Sequence, residues 1–291
     1  MKEQTQRKMA YACLTVTFML WGSLFVVSKY VLGKLPTFTI SFFRFAIAYI
    51  ALSLIQRDKA AQIEKKDIPY LFLIGIGGYF IAVGAQLLGT KYAGASLASL
   101  LNALNPITMT LFATVFLHER LTMKKIAGLL LALAGVYAIL GGSGSKNTTG
   151  IALSLFAVLL WSAVSVLMRK ITQKYDSMQV TRHGIGIAAL CYLPVSICET
   201  ISAGQLQIDI SCVLSLLYMG AICTGIAYFL WNKSLSVLEA GTCSAFYPLQ
   251  PLVSAALGML LLNEQTGLAF WIGSILIMAG IGLNLTAAHS S

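Results

Sequence analysis

Apolar segments long enough to cross a lipid bilayer recur along the whole chain, and no other feature constrains the fold as strongly. An α-helix rises about 1.5 Å per residue, so about 20 apolar residues span a hydrocarbon core of about 30 Å. The segments between polar breaks lie at 10–32, 37–55, 69–90, 95–117, 124–141, 150–171, 178–199, 211–233, 241–262 and 268–287. We therefore predict an all-α polytopic membrane protein with ten transmembrane helices.

The composition excludes the soluble classes of protein. Of the 291 residues, 58% are hydrophobic and 10% are charged, whereas a soluble domain carries about 25% charged residues. The net charge of +10 is therefore not interpreted as a nucleic-acid footprint. The six cysteines and three histidines show no metal-ligand spacing. We expect no nucleic-acid partner, no metal and no cofactor.

The positions of the basic residues predict the orientation, because lysine and arginine collect in cytoplasmic loops. If the N-terminus is cytoplasmic, four basic residues lie on the outer side: Lys29, Lys34, Lys91 and Lys146. Fourteen lie on the inner side: Lys2, Arg7, Lys8, Arg57, Lys59, Lys65, Lys66, Arg120, Lys124, Lys125, Arg169, Lys170, Lys174 and Lys233. Arg44 and Arg182 fall inside spans. We therefore place both termini in the cytoplasm.

The two halves of the sequence resemble each other. Leu117–Leu121 (LHERL) ends span four, and Leu262–Thr266 (LNEQT) ends span nine 145 residues later. The pairs at that offset include Pro106 with Pro251, Gly128 with Gly273 and Gly135 with Gly280. Near the starts of the halves, Leu20–Ser23 (LWGS) recurs as Leu160–Ala163 (LWSA). The paired glycines predict close helix packing, with a dimer contact as a further option.

The repeat predicts two five-helix halves, 1–141 and 150–291, joined by a linker at 142–149. Because five spans are an odd number, the second half must be inverted relative to the first. Inverted repeats are typical of secondary transporters, which bind substrate near the midplane. The fold class predicted is therefore two inverted five-helix repeats.

At this point the sequence resembles the ten-span EamA-type transporters of the drug/metabolite transporter superfamily. The resemblance rests on Trp21 in LWGSLFVVSKY, Arg44 in FFRFAIA, and HERLTMKKIAGLLLALAGV with its counterpart NEQTGLAFWIGSILIMAGI. It implies a substrate cavity between the repeats, formed by spans one to four and six to nine, with spans five and ten peripheral. Known activities in such families include efflux of amino acids and other metabolites and uptake of small amines.

Polar side chains inside the spans are the candidates for lining that cavity, because such groups avoid lipid. Span four carries Ser96, Ser99, Asn102 and Asn105 at three-residue spacing, on one helical face. The repeat places Ser244, Tyr247 and Gln250 at the matching positions of span nine. Hydrogen bonding between packed helices is the alternative role for both stripes.

Further candidates complete the predicted site. Pro106 and Pro251 follow the two stripes and are predicted to kink spans four and nine. Tyr79 and Gln86 lie seven residues apart on span three, hence on one face. The matched tryptophans Trp21 and Trp161 lie near mid-membrane, where core packing is their alternative role.

Arg44 lies about 12 Å into the membrane, eight residues beyond Pro36. It is predicted either to contact substrate or to bond carbonyl groups freed by a kink, whereas Arg182 lies near a helix end and is expected to reach the interface. No carboxylate occupies a mid-span position. A deep cation without a deep acid favours neutral, zwitterionic or anionic metabolites.

These observations predict a secondary active transporter that exports a small polar metabolite, such as an amino acid, by alternating access. The alternative is an importer of a small amine or quaternary ammonium compound, such as choline, held by an aromatic cage. No catalytic spacing of nucleophile, acid pair or metal ligands occurs, so an enzyme is not expected. We expect a monomer or homodimer in a bacterial cytoplasmic membrane.

Overall fold

The structure is a computed structural model that describes residues 2–55, 63–93, 98, 101–102, 104–117, 122–140, 148–204, 206, 208–262 and 268–289. These residues form helices and short connections, and the described ranges contain no strand. The α-helices are α1 (Lys2–Leu32), α2 (Thr37–Ile55), α3 (Ile68–Phe72), α4 (Val83–Ala93), α5 (Asn105–Leu117), α6 (Met123–Leu140), α7 (Thr148–Thr172), α8 (Ser177–Ala203), α9 (Ile210–Leu217), α10 (Ala227–Leu235), α11 (Ala240–Ser244), α12 (Leu249–Leu262) and α13 (Leu268–His289).

Two π-helical segments interrupt the long helices of spans three and eight. The segment π1 (Leu73–Ala82) joins α3 to α4, and π2 (Tyr218–Ile226) joins α9 to α10. Their first residues are separated by the 145-residue offset of the sequence repeat. π-helical turns are rare in proteins, and those that occur often lie at functional sites. Their matched positions therefore single out these two spans.

Six helices are long and apolar enough to cross a bilayer. They are Gln4–Leu32, Thr37–Ile55, Lys65–Tyr92, Thr148–Thr172, Ser177–Ala203 and Ile210–Leu235. They correspond to predicted spans one, two, three, six, seven and eight. Within the other four predicted spans lie α5, α6, α12 and α13, so the count of ten stays a prediction.

The helices form two compact units, and each unit draws on both halves of the sequence. The first unit contains residues 1–84 and 167–237, and the second contains 85–166 and 238–291. The compact units therefore do not coincide with the predicted sequence halves. In the first unit, α2 packs on α8 and π2, α8 also packs on π1, and α1 packs on α10.

Glycines bring both π segments of the first unit close to a neighbouring helix. A Cβ atom added to Gly75 of π1 would lie 2.7 Å from Cβ of Ile187 on α8. A Cβ atom added to Gly220 of π2 would lie 2.6 Å from Cβ of Ile47 on α2. Gly75 and Gly220 lie 145 residues apart, which is the offset of the sequence repeat. Ile47 and Ile187 lie 140 residues apart, as Trp21 and Trp161 do. The same close contact therefore occurs twice.

In the second unit, α6 and α13 pack through the paired glycines. A Cβ on Gly135 would lie 2.6 Å from the carbonyl oxygen of Gly273, and one on Gly280 would lie 2.5 Å from that of Gly128. These distances leave no room for a side chain. The prediction that these glycines permit close helix packing is confirmed.

An ion-pair cluster closes one end of the first unit, and we name it the Lys34 cluster. The Lys34 ammonium, just beyond α1, donates to Asp209 and to the Tyr30 hydroxyl. Asp209 also caps α9, because its Oδ1 accepts from the Cys212 amide at 2.8 Å. The hydrogen bond from Lys34 and, after it, that from Cys212 lower the pKa of Asp209 to about 2.

A second ion-pair cluster, the Lys174 cluster, also contains a lysine, an aspartate and a tyrosine, and in addition a glutamate. Lys174 Nζ lies 2.6 Å from Asp67 Oδ2 and 2.7 Å from Glu64 Oε1. The Tyr175 hydroxyl donates to Asp67 at 2.7 Å. These contacts, that to Asp67 foremost, raise the pKa of Lys174.

The two clusters lie at opposite ends of the first unit. Helix α8 begins beside the Lys174 cluster, and Glu199 near its other end accepts from the amides of Phe38 and Thr39 at 2.6 and 3.0 Å. Those amides open α2, four residues beyond Lys34. Each cluster thus joins the two halves of the sequence at one end of the unit.

Asp209→Asn should lower thermal stability in a pH-dependent way. Asparagine retains the helix cap, so the change isolates the ion pair. Because the folded pKa of Asp209 is about 2 and an unperturbed aspartate has a pKa of about 3.9, the stabilisation is complete above about pH 4 and is lost as the pH falls towards 2. Melting temperatures in detergent should differ at pH 6 and converge at low pH and at high salt. A difference independent of pH would contradict this.

Gly220→Ala should destabilise the protein by about 1–3 kcal/mol, as overpacking does in a tight interior. The added methyl group meets Ile47, whereas nothing lies within 4 Å of a Cβ at Gly282 on α13. Gly282→Ala is therefore the matched control and should change the melting temperature little. Equal melting temperatures for both variants would show that π2 accommodates a side chain.

Candidate functional site

Arg44 is the deepest charged group of the first unit. It lies on α2 and is 3% exposed. Its Nε donates to Thr224 Oγ1 of π2 at 3.2 Å, and the guanidinium also hydrogen-bonds the Tyr228 hydroxyl of α10. Removing a charge from water costs several kcal/mol even after relaxation. Two neutral hydroxyl groups offset only part of that cost.

The carboxylates described in the structure are bound elsewhere, at helix ends. Asp67 and Glu64 bind Lys174, Asp209 binds Lys34, Glu239 binds Lys125, Glu199 binds the amides of α2, and Asp176 binds the amides of Met178 and Gln179. None of these acids lies against Arg44. Among the residues that the structure describes, the Arg44 charge therefore has hydroxyl partners and no acid.

Tyr228, which bonds Arg44, lies at the centre of an aromatic group. The Tyr228 ring stacks on Tyr79 with centroids 4.8 Å apart and planes at 7°. Trp21 meets Tyr228 edge-on, with centroids 5.4 Å apart, and its Nε1 donates to the Cys223 carbonyl of π2 at 3.1 Å. The structure thus brings the predicted residues Trp21, Arg44 and Tyr79 together. We name Trp21, Arg44, Tyr79, Thr224 and Tyr228 the Arg44 site.

Sequence reasoning missed Tyr228 and Thr224. Thr224, Tyr228 and Asn232 follow one another at four-residue spacing along span eight, which places them on one helical face. A regular polar spacing, like the one that singles out the stripe of span four, is therefore the sequence signal for these residues. The Asn232 amide donates to the Tyr79 hydroxyl at 3.0 Å and to Thr181 Oγ1 at 2.7 Å.

The polar stripe of span four forms hydrogen bonds inside the second unit. Asn105 Nδ2 donates to Asn102 Oδ1 at 2.9 Å, and Ser162 Oγ of α7 donates to Asn105 Oδ1 at 3.1 Å. Thr108 and Ser162 share a hydrogen bond of 2.6 Å. These contacts support the interhelical role that was the alternative to cavity lining. Ser96 and Ser99 lie outside the described residues.

The other predicted residues of the second unit are also placed. Trp161 Nε1 of α7 donates to the Tyr247 hydroxyl, and Gln250 is buried near the start of α12. Gln86 is half-buried on α4, in the second unit, whereas Tyr79 belongs to the first. The predicted residues therefore fall into two groups, one in each unit.

Pro106 and Pro251 lie in the first turns of α5 and α12. There a proline costs little, because first-turn amides have no partner within the helix. Span nine is interrupted between α11 and α12, where the amides of Tyr247 and Gln250 bond carbonyls three residues earlier. Span nine therefore has a junction between two helical segments just before Pro251, and the kinks at the two prolines stay predictions.

The described residues contain no group of three His, Cys, Asp or Glu side chains able to hold a metal ion. The Arg44 site instead offers hydrogen-bond donors, aromatic rings and the buried Arg44 cation inside long apolar helices. These features are those of a multi-pass membrane protein.

The comparison with known proteins assigns the family. The chain matches the EamA-like transporter family over residues 8–141 and 148–286 and belongs to that family. A relative from Archaeoglobus fulgidus, named an uncharacterized transporter, is 30% identical over 94% of this chain and 97% of its own length. The predicted resemblance is confirmed, and the protein is a transporter rather than an enzyme.

Two bacterial relatives carry a more specific name, "Probable amino-acid metabolite efflux pump". The one from Salmonella typhimurium is 30% identical over 96% of this chain and 95% of its own length. The one from Escherichia coli is 31% identical over 91% of each chain. A solved crystal structure matches 99% of this chain and 98% of its own with a TM-score of 0.82 at 20% identity, which shows a shared fold.

Tyr79→Phe should destabilise the protein by about 1–2 kcal/mol, because it removes the oxygen that accepts from the buried Asn232 amide. Tyr137→Phe is the matched control, since Tyr137 is 62% exposed on α6. Thermal unfolding in detergent should separate the two variants. If Tyr79→Phe melts with the wild-type protein, the hydrogen bond to Asn232 contributes nothing to stability.

Proposed function

We propose that the protein is a secondary active transporter that exports a small polar metabolite, an amino acid or a similar compound. The observation that carries this proposal is the likeness, at 30% and 31% identity over at least 91% of the chain, to two proteins named as amino-acid metabolite efflux pumps. The deep polar groups of the Arg44 site agree with it, because a polar solute needs such partners inside a membrane.

We propose further that transport proceeds by alternating access of two inverted five-helix repeats, 1–141 and 150–291. Matched features support the repeat: the π segments, the glycine contacts at Gly75 and Gly220, and the Lys34 and Lys174 clusters. In this proposal both termini are cytoplasmic, and the protein works as a monomer or homodimer in a bacterial cytoplasmic membrane. The candidates for contacting substrate are the Arg44 site in the first unit and, in the second unit, Gln86, Asn102, Asn105, Trp161, Tyr247 and Gln250.

An importer of quaternary amines is the second candidate, and the ring cluster of Trp21, Tyr79 and Tyr228 is what favours it. An aromatic cage binds a cation on open ring faces. Tyr79 and Tyr228 instead stack on each other, and Arg44 hydrogen-bonds Tyr228. A second cation there would be repelled. The export of a zwitterionic or anionic metabolite fits these contacts better.

Export can be tested in cells that accumulate amino acids from supplied dipeptides. Expression of the wild-type protein should accelerate the appearance of at least one amino acid in the medium. Trp161→Phe should slow this export roughly fivefold, because it removes the donor to Tyr247, worth about 1 kcal/mol. The matched control is Trp271→Phe, since Trp271 is 59% exposed on α13.

The controls distinguish transport from expression effects. Trp271→Phe should export at the wild-type rate at equal membrane abundance. Export no faster than in cells lacking the protein, for every amino acid tested, would contradict the proposal. Uptake of labelled choline with no export would favour the importer.

A further inference from the structure

We propose that the Arg44 guanidinium, with the Tyr228 hydroxyl beside it, binds the carboxylate group of the transported substrate. This inference rests on the proposed function, because it assigns a chemical class to the substrate and a place in the chain where its acidic group is held. The class is organic acids and zwitterions that carry a free carboxylate.

The first argument is the charge of Arg44. The side chain is almost fully buried, and the described acids are bound at helix ends by other groups. A buried charge is stabilised when an opposite charge and hydrogen bonds accompany it. A substrate carboxylate supplies both, and it does so only while substrate is bound.

The second argument is the geometry of the guanidinium. Arginine carries five N–H donors in a planar fork that matches a carboxylate. The described contacts of Arg44 are the bond from Nε to Thr224 and the bond with Tyr228. Thr224 in turn donates to the Met219 carbonyl at 2.7 Å, which fixes its oxygen as the acceptor for Nε. Within the described residues, the fork is held in place and retains donors for an anion.

The third argument is that the fold does not need a charge at this position. Trp21 and Trp161 lie 140 residues apart, and the same spacing relates Arg44 to Gly184 on α8. A Cβ on Gly220 would lie 3.1 Å from the Arg44 carbonyl oxygen, and a Cβ on Gly75 would lie 3.0 Å from that of Gly184. The same helix contact is therefore made once with arginine and once with glycine. The packing of α2 on π2 does not explain the guanidinium.

The side chains that lie against Gly184 and against Arg44 also differ. Gly184 lies against the Tyr79 ring, since a Cβ there would be 2.8 Å from Cε2 of Tyr79. Thr224, which the repeat offset relates to Tyr79, lies against Arg44. A large neutral ring thus fills one position and a cationic fork fills the other. The Tyr228 ring stacks on the first and its hydroxyl bonds the second, so one residue links the apolar surface to the charge.

The test compares acids with their amides on the purified full-length protein. The probes are the twenty standard L-amino acids and their carboxamides, with stabilisation measured by thermal shift and affinity by titration calorimetry. The wild-type protein should bind at least one amino acid more than tenfold tighter than its carboxamide. Arg44→Gln should abolish that preference, and Arg44→Lys should retain part of it, because lysine keeps the charge and loses the fork.

The matched control is Arg182→Gln, since Arg182 is a half-buried arginine on α8 that lies outside the Arg44 site. It should keep the wild-type preference. Tyr228→Phe and Thr224→Val keep Arg44 and serve if Arg44→Gln does not fold; each should weaken binding of the acid several-fold more than binding of the amide. Equal affinity of the wild-type protein for acid and amide would overturn the carboxylate site, as would a folded Arg44→Gln variant that keeps the preference.

The outcomes separate this inference from the proposed function. If the cell assay identifies an exported metabolite that lacks an acidic group and binds the purified protein, the carboxylate site is wrong and the export function stands. If carboxylates bind through Arg44 but no metabolite is exported, the export function is wrong and the site stands.

Discussion

Hydrocarbon offers no hydrogen-bond partners, and this constraint explains where the structure places its polar groups. Where span nine leaves the α-helix, the amides of residues 245–247 still bond carbonyls three or four residues earlier. The described acids lie at helix ends, paired with lysine or with exposed amides. Arg44 departs from this rule in the first unit, because its charge is deep and its partners are hydroxyl groups.

Glycines permit the closest contacts between helices in this protein. Lipid tails are as apolar as leucine, so helices in a membrane gain little from burying leucine against each other and pack instead where small residues let backbones approach. Gly75 and Gly220 bring the π segments against α8 and α2, and Gly135 and Gly280 do the same for α6 and α13. These contacts recur at the spacing of the sequence repeat, so they carry information about the fold that hydropathy does not.

The sequence predicted six spans that the structure shows as long apolar helices, and it predicted many of the deep polar residues, because hydrophobic length and helical spacing are local properties. Trp21, Arg44 and Tyr79 were each found in this way, and the structure places them together. It did not predict the composition of the two compact units, since periodicity shows which face of a helix is polar but not which helix covers it. The partners of Arg44 were missed for the same reason. Thr224 and Tyr228 lie at helical spacing along span eight, but that spacing does not show that they meet Arg44.

The repeat is most informative where its two copies differ. A duplicated chain that kept identical residues would place equivalent groups on both sides of its symmetry axis and would bind both ends of a substrate alike. Here one copy pairs Tyr79 with Gly184, and the other pairs Thr224 with Arg44. The backbone contacts are the same in both copies, but the large side chain beside them is an aromatic ring in one copy and a cation in the other. A substrate with an acidic group at one end and a different group at the other matches that asymmetry. Since both copies make the same helix contact, packing does not explain why these side chains differ, whereas the proposed carboxylate site does.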